Sequence, residues 1–105
     1  MNYPKPAKVR SNKIRESAKG EHCSLRIPDV CNHNPETVVF AHLPGHKGVG
    51  TKNHDLFGVY ACSECHNWMD GRHWKVVHES KSSASLRALQ ETQMKLIQKG
   101  IIQIK

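Results

Sequence analysis

Apolar residues fall along this chain in short blocks, separated by polar stretches that carry glycine or proline. Thr37-Val38-Val39-Phe40-Ala41 is rich in β-branched and aromatic side chains and predicts a strand that delivers His42 at its end. Leu56-Phe57-Gly58-Val59-Tyr60-Ala61 predicts a second strand, antiparallel to the first and running straight into Cys62. From Ser63 to about Asp70 the pattern fits a helix, with Gly71 as its stop. Leu86, Leu89, Leu96 and Ile97 fit the apolar stripe of a last helix over about 82–99, with N-cap residues in the serine cluster at 80–85 and Gly100 at its end. Glu91 and Lys95 stand four apart on it as an ion pair.

Between these blocks the signals are irregular. Residues 73–78 fit a turn or short strand, and Ile101, Ile102 and Ile104 fit either a terminal strand or an exposed tail. Pro28-Asp29 and Asn34-Pro35 mark turns after Cys23, while Pro44, Gly45, Gly48 and Gly50 mark a flexible loop after the first strand. Residues 1–20 carry Pro4, Pro6 and many cations without apolar periodicity, which predicts an extended arm with a short helical turn near Ile14 to Ala18. The expected organisation is a basic arm over 1–20 and one α+β domain over 21–105, with a motif core at 21–72. No internal repeat breaks that description.

Composition limits the core. With 105 residues, 37% of them hydrophobic, and two each of Trp, Tyr and Phe, the chain can bury only a modest apolar volume. A structural metal would offset the deficit, at roughly 10 kcal/mol of apparent folding free energy. The formal charge of +7 and a pI near 9.5 favour a polyanionic partner, with nucleic acid foremost. Lys5, Lys8, Arg10, Lys13, Arg15 and Lys19 crowd the first twenty residues against the single acid Glu16. No stretch has the apolar length of a secretory core or a membrane span, so a cytosolic location without membrane partners is expected.

Four cysteines then become informative. Cys62 and Cys65 have the two-residue spacing of a metal knuckle, and Cys23 and Cys31 supply a second, wider pair. A reducing cytosol disfavours disulfides, so the reading is one zinc ion shared by Cys23, Cys31, Cys62 and Cys65, closed to further ligands and therefore structural. Free or disulfide cysteines are the alternative. Cys62-Ser63-Glu64-Cys65-His66 also has the spacing of a covalent haem attachment site, a reading that leaves the other cysteine pair unexplained.

The histidines suggest chemistry. Phosphodiester hydrolysis needs a base for water, a cation for the charge developing on phosphate and leaving oxygen, and positive side chains on the backbone. His42, then His66 with Asp70 at i and i+4 on one helix face, then Arg72 fit those roles. Lys8, Arg10, Lys13, Arg15, Lys47, Lys52 and Arg72 are candidate phosphate contacts. His22, His33, His46, His54, His73 and His78 are read as surface residues, with His54 and His73 the two worth testing.

The order of residues resembles that of the HNH, or ββα-metal, endonucleases: a strand ending in Ala41-His42, then Asn53 or Asp55, then Tyr60-Ala61-Cys62 and Cys65-His66. More closely, Leu25-Arg26-Ile27-Pro28, Cys31-Asn32-His33-Asn34-Pro35-Glu36-Thr37, Ala41-His42-Leu43-Pro44 and Asp70-Gly71-Arg72 are similar to the small prophage-encoded YbcO family, to which nuclease activity is ascribed. The resemblance covers most of the chain up to Arg72. It implies a zinc-stabilised ββα-metal fold acting on DNA, linked to recombination or DNA processing and to a recombination protein as partner. His42 matches the general base. Asn53, with Asp55 as alternate, matches the polar residue bracing that base, and His66 the ligand of a catalytic divalent ion (Mg²⁺, Mn²⁺, Ni²⁺ or Zn²⁺), with Asp70 as second ligand.

One departure stands out. Many HNH enzymes carry an Asp or His ligand immediately before the base, and here that position is Ala41. The ion then depends on His66, Asp70, phosphate and water, or His42 itself serves as a ligand. Two rival functions remain: a non-catalytic zinc-dependent nucleic-acid-binding module, and a protein-interaction domain built on the last helix.

Overall fold

The computed structural model describes residues 9–44 and 54–105. Among them the architecture is α+β: a two-stranded antiparallel sheet with helices packed around it. Helix α1 spans Asn12–Glu16, strand β1 Val39–His42, strand β2 Gly58–Ala61, helix α2 Ser63–Met69 and helix α3 Lys81–Gln98. A single 3-10 turn, Pro35–Thr37, leads into β1.

Both strands are shorter than the apolar blocks that predict them, each starting two residues later. Pro35 opens the 3-10 turn under an Asn34 cap, and that turn takes up Thr37 before extended backbone can begin. The register pairs Val39 with Ala61, Phe40 with Tyr60, Ala41 with Val59 and His42 with Gly58. Every residue of β2 is buried, as expected for a strand covered on both faces. Its outer edge is closed too. Tyr60 donates its amide to Thr92 Oγ1 at 3.2 Å, and its carbonyl accepts from the Ser24 amide at 2.7 Å.

Helix α2 starts directly from β2 because Cys62 caps it, its Sγ accepting from the Cys65 amide. It stops at Gly71, whose φ of 77° lets the Gly71 amide reach the Trp68 carbonyl and the Arg72 amide reach the Asn67 carbonyl. Helix α3 begins with Ser80 capping Ser83 and ends with the same double bond pattern around Gly100 and Ile101.

The face that α3 buries differs from the stripe expected. Ala84, Ala88, Thr92 and Leu96, spaced by four, are its buried residues, while Leu86 is exposed and Leu89 only half-buried. Two alanines let the helix approach β2 closely, and Thr92 supplies the hydroxyl that the sheet edge requires. Glu91 pairs not along the helix with Lys95 but with Arg26, in a two-pronged contact at 2.7 and 2.9 Å. Residues 73–78 adopt no regular structure, and the C-terminal isoleucines form no strand.

Residues 9–20 of the basic N-terminal segment are folded. Ser11 caps α1, Ile14 and Ala18 are buried, and Ser17 Oγ lies 2.7 Å from the Tyr60 hydroxyl. A helix of five residues has no stability of its own, so this one is held by the apolar contacts of Ile14 and the polar contacts described below. Residues 9–20 are therefore part of the packed unit.

Candidate functional site

Two polar centres flank the β-hairpin, one of sulfur and one of imidazole and carboxylate. The first brings together all four cysteines. The Sγ atoms of Cys23, Cys31, Cys62 and Cys65 lie within 4.8 Å of one another, and those of Cys31 and Cys62 are 3.8 Å apart. In a regular tetrahedron with metal–sulfur bonds of about 2.3 Å the sulfurs sit about 3.8 Å apart, so the arrangement has the dimensions of a four-thiolate metal site.

Local backbone explains how an irregular loop achieves this. The amides of Arg26, His33 and Cys65 point at Cys23, Cys31 and Cys62 at 3.4–3.5 Å. Two of those turns put non-glycine residues in the left-handed region, Arg26 at φ 45° and His33 at φ 54°, with Asp29 at 65° between them. Such conformations persist where surrounding structure over-determines them. Here Leu25 and Ile27 anchor the loop in the core, and Asn32 reaches Ser63 and Thr37, fastening it to the start of α2.

The thiols cannot all ionise unaided. Cys23 is pulled down to about 4, chiefly by its hydrogen bond with Cys65, and that same bond followed by burial pushes Cys65 up. Burial pushes Cys31 up to about 11. A divalent cation among the four sulfurs removes this conflict by neutralising the charge that each thiolate imposes on the others. The donor set and its N–H···S bonds fit such an ion.

The second centre is built on His42, at the end of β1. Its Nε2 lies 2.7 Å from Oδ1 of Asp55, a carboxylate with no exposed surface. Asp55 also accepts from the Ser11 amide at 2.6 Å and from Arg15 at 3.0 Å, with Arg10 at 3.5 Å. Burial pushes its carboxyl up, but the bonds from His42 and Ser11 and the charge of Arg15 outweigh that and hold it below the ordinary carboxylate value. His54 Nδ1 accepts from the Val9 amide, and Val9 in turn accepts from the Asp55 amide. The N-terminal segment is thus laced to the loop that carries Asp55.

His66 on α2 and Asp70, the residue that caps the helix, lie together, Nε2 to Oδ2 at 3.4 Å, and Arg72 donates to the same Asp70 oxygen at 2.9 Å. Among the described residues, the cysteines are the only group of three or more side chains with the mutual spacing of a metal site. His66 and Asp70 form a pair, and His42 is not drawn into a three-membered cluster with them.

Of the residues expected at the site, Lys8, Lys47, Lys52 and Asn53 lie outside the described residues, as do Gly45, Gly48 and Gly50 of the expected flexible loop. Asp55, the alternate for Asn53, is the residue that reaches His42. Arg10 and Arg15, expected on phosphate, turn toward Asp55 and Arg72 toward Asp70, all three staying exposed, as does Lys13. His73, read as surface, is largely buried and bonds Glu64 at 2.8 Å. Sequence reasoning missed the roles of Ser11, Arg15 and Glu64. The sequence carries no local signal for these roles, because the burial of Asp55 that demands cationic partners is set by the fold.

No helix among the described residues is long and apolar enough to cross a membrane. The family model described as Putative nuclease YbcO matches residues 12–101. Over 91 residues the chain is 42% identical to Putative nuclease YbcO of Escherichia coli strain K12, a match covering 85% of this chain and 95% of that protein. The Putative nuclease ybcO of Enterobacteria phage 82 matches to the same extent. A solved structure described as a putative bacteriophage protein from Escherichia coli K-12 MG1655 superposes with a TM-score of 0.68 at 38% identity, covering 84% of this chain and all of the other. With the family model spanning the hairpin, the four cysteines, His42, Asp55 and α3, the chain belongs to the YbcO family.

Proposed function

We propose that this protein is a metal-dependent DNA endonuclease of the HNH class, with a structural zinc ion on the four cysteines. The observation that carries the reading is the pairing of His42 with buried Asp55 at the end of a β-hairpin whose second strand leads directly into the helix bearing His66. The names of the relatives support a nuclease in general.

In this reading Asp55 stays ionised and accepts the Nε2 proton of His42. That fixes the tautomer and leaves Nδ1 to take a proton from the attacking water. His66 and Asp70 would hold the catalytic divalent ion with phosphate and water completing its shell, and the ion would stabilise charge on the phosphorane and leaving oxygen when bound. Exchange of Arg72 from Asp70 to a substrate phosphate would free the carboxylate for that role. Lys13, Arg72 and the cations near the N-terminus supply backbone contacts, so affinity for DNA should fall steeply with salt.

A non-catalytic zinc-dependent DNA-binding module is the second reading, and a specific observation favours it. Among the described residues, no third Cys, His, Asp or Glu side chain joins His66 and Asp70 at the mutual spacing of a metal site. Cleavage of supercoiled plasmid separates the two. Metal-stripped protein is reloaded with zinc, then given Mg²⁺, Mn²⁺ or Ni²⁺, with His42→Ala and His66→Ala beside the wild type. Nicking that both variants lose supports the nuclease; DNA binding without nicking under every metal supports the module.

A further inference from the structure

The segment just beyond α2 presents an aromatic side chain with no place in the core. Trp74 is 81% exposed, although an indole is among the most favourable side chains to bury. Its neighbours are held on both sides. His73 is largely buried, bonding Glu64 through Nε2 and accepting the Lys75 amide at Nδ1 at 3.1 Å. Lys75 Nζ donates to the Asp29 carbonyl at 2.8 Å while lying 5.3 Å from the centre of the Trp74 ring. The His73 ring stacks on Trp74 at 5.8 Å with an interplanar angle of 18°. The indole is therefore propped outward by a braced turn, with a cation against it and exposed Arg72 two residues before it.

We propose that Trp74 is a stacking platform for an unpaired nucleobase, flanked by Arg72 and Lys75 for the adjoining phosphates. The inference rests on the nucleic-acid reading above and names its substrate class: DNA with a single-stranded or splayed element beside the scissile bond. Base and indole present matching flat surfaces, and charge complementarity selects a polyanion over an apolar peptide. Placement agrees. Trp74 follows Asp70 by four positions, a Cα-to-Cα span of at most about 14 Å, so a base stacked there belongs to the same stretch of strand as a phosphate at His66 and Asp70. A duplex keeps its bases stacked internally and offers the platform nothing except at an end or distortion.

The test uses the full chain, zinc-loaded and carrying His42→Ala so that strands are not consumed, with Trp74 intact or changed to Ala or Phe. Binding is measured by fluorescence anisotropy at low salt with three labelled probes: a short oligo(dT), an abasic backbone of equal length, and a blunt duplex. Trp74→Ala should weaken oligo(dT) binding about tenfold, with Trp74→Phe retaining most of it and the abasic and duplex probes unaffected. Equal oligo(dT) affinity with and without Trp74, or the same loss on the abasic backbone, overturns the proposal. So does self-association that depends on Trp74 and leaves oligo(dT) binding untouched. Plasmid nicking by the wild type is scored separately. Its absence beside an intact oligo(dT) preference defeats the nuclease reading and leaves the platform standing.

Discussion

His42 Nε2 lies 2.7 Å from Asp55 Oδ1 across a loop closure of thirteen residues, and that single contact ties three parts of the chain together. Asp55 holds the imidazole with one oxygen and gathers the Ser11 amide and Arg15 guanidinium with the other. The orientation of His42 therefore depends on residues far before it in the chain, Ser11 and Arg15. Truncating the N-terminal segment through Arg15 would remove charge and, with it, the partners that keep Asp55 ionised in a buried site.

Asp55→Asn should lower stability at neutral pH by about 1–3 kcal/mol, because buried donors lose a charged acceptor. The pH dependence has a fixed sign. The folded-state carboxyl lies below its ordinary value, so its contribution is complete above the unfolded value near 3.9 and disappears as pH falls through the folded one. Urea unfolding of wild type and variant should show a constant gap from pH 7 to about 5 that narrows below about 4. A gap independent of pH would separate the stability of this site from the Asp55 charge.

The sulfur cluster should bind one divalent ion per chain, and Cys65→Ser should lose it. Thiols that cannot ionise together in its absence make uptake release protons, so affinity should drop sharply as pH falls. Native mass spectrometry gives the stoichiometry, and circular dichroism during chelator titration reads the structural consequence. We expect loss of the cooperative thermal transition, since the loop over residues 23–33 has little regular structure to hold it otherwise.

Gly58 sits opposite His42 in the sheet, and a methyl group added there would run into the Phe40 ring. Gly58→Ala should cost about 1–3 kcal/mol through forced repacking. Phe40→Leu in the same chain should recover part of that cost, as a nonadditive double-mutant cycle in thermal or urea melts. Additive losses would mean that the ring is not the obstacle.

Thr92 is fully buried, with its hydroxyl 3.2 Å from the Tyr60 amide and 3.4 Å from Ser24 Oγ. Thr92→Val keeps the shape and strands the amide, and should destabilise by about 1–3 kcal/mol. Thr92→Ser keeps the bond and sacrifices one methyl, at about 1 kcal/mol. Urea midpoints that ranked serine below valine would place the role of Thr92 in packing instead of in closing the sheet edge.

Signals read locally were legible before the fold was known. The β-branched run before His42, the Cys62/Cys65 spacing, the serines before α3 and the stops at Gly71 and Gly100 depend on a residue's own conformational limits or on neighbours within one turn, and each marks the element observed. The pairing of two distant cysteine pairs could be inferred as well, because thiolates have few other uses in such numbers and the four sulfurs converge.

Contacts across the chain were not readable in the same way. Leu86 fits a helical stripe as well as Ala88 does, and only the approach of α3 to β2 settles that the small residues and Thr92 face inward. Glu91 has Lys95 in reach along its own helix, yet Arg26 is held opposite it by the sulfur loop and offers two bonds instead of one. The cations near Asp55 read as an arm because charge density is a local quantity; that two of them turn onto a buried carboxylate follows from where the hairpin loop puts Asp55. Residue type and spacing specify which elements form and which atoms can bind metal. Which partner each polar group takes is set by long-range packing, since a charge joins whichever opposite charge the folded backbone brings within a few ångströms.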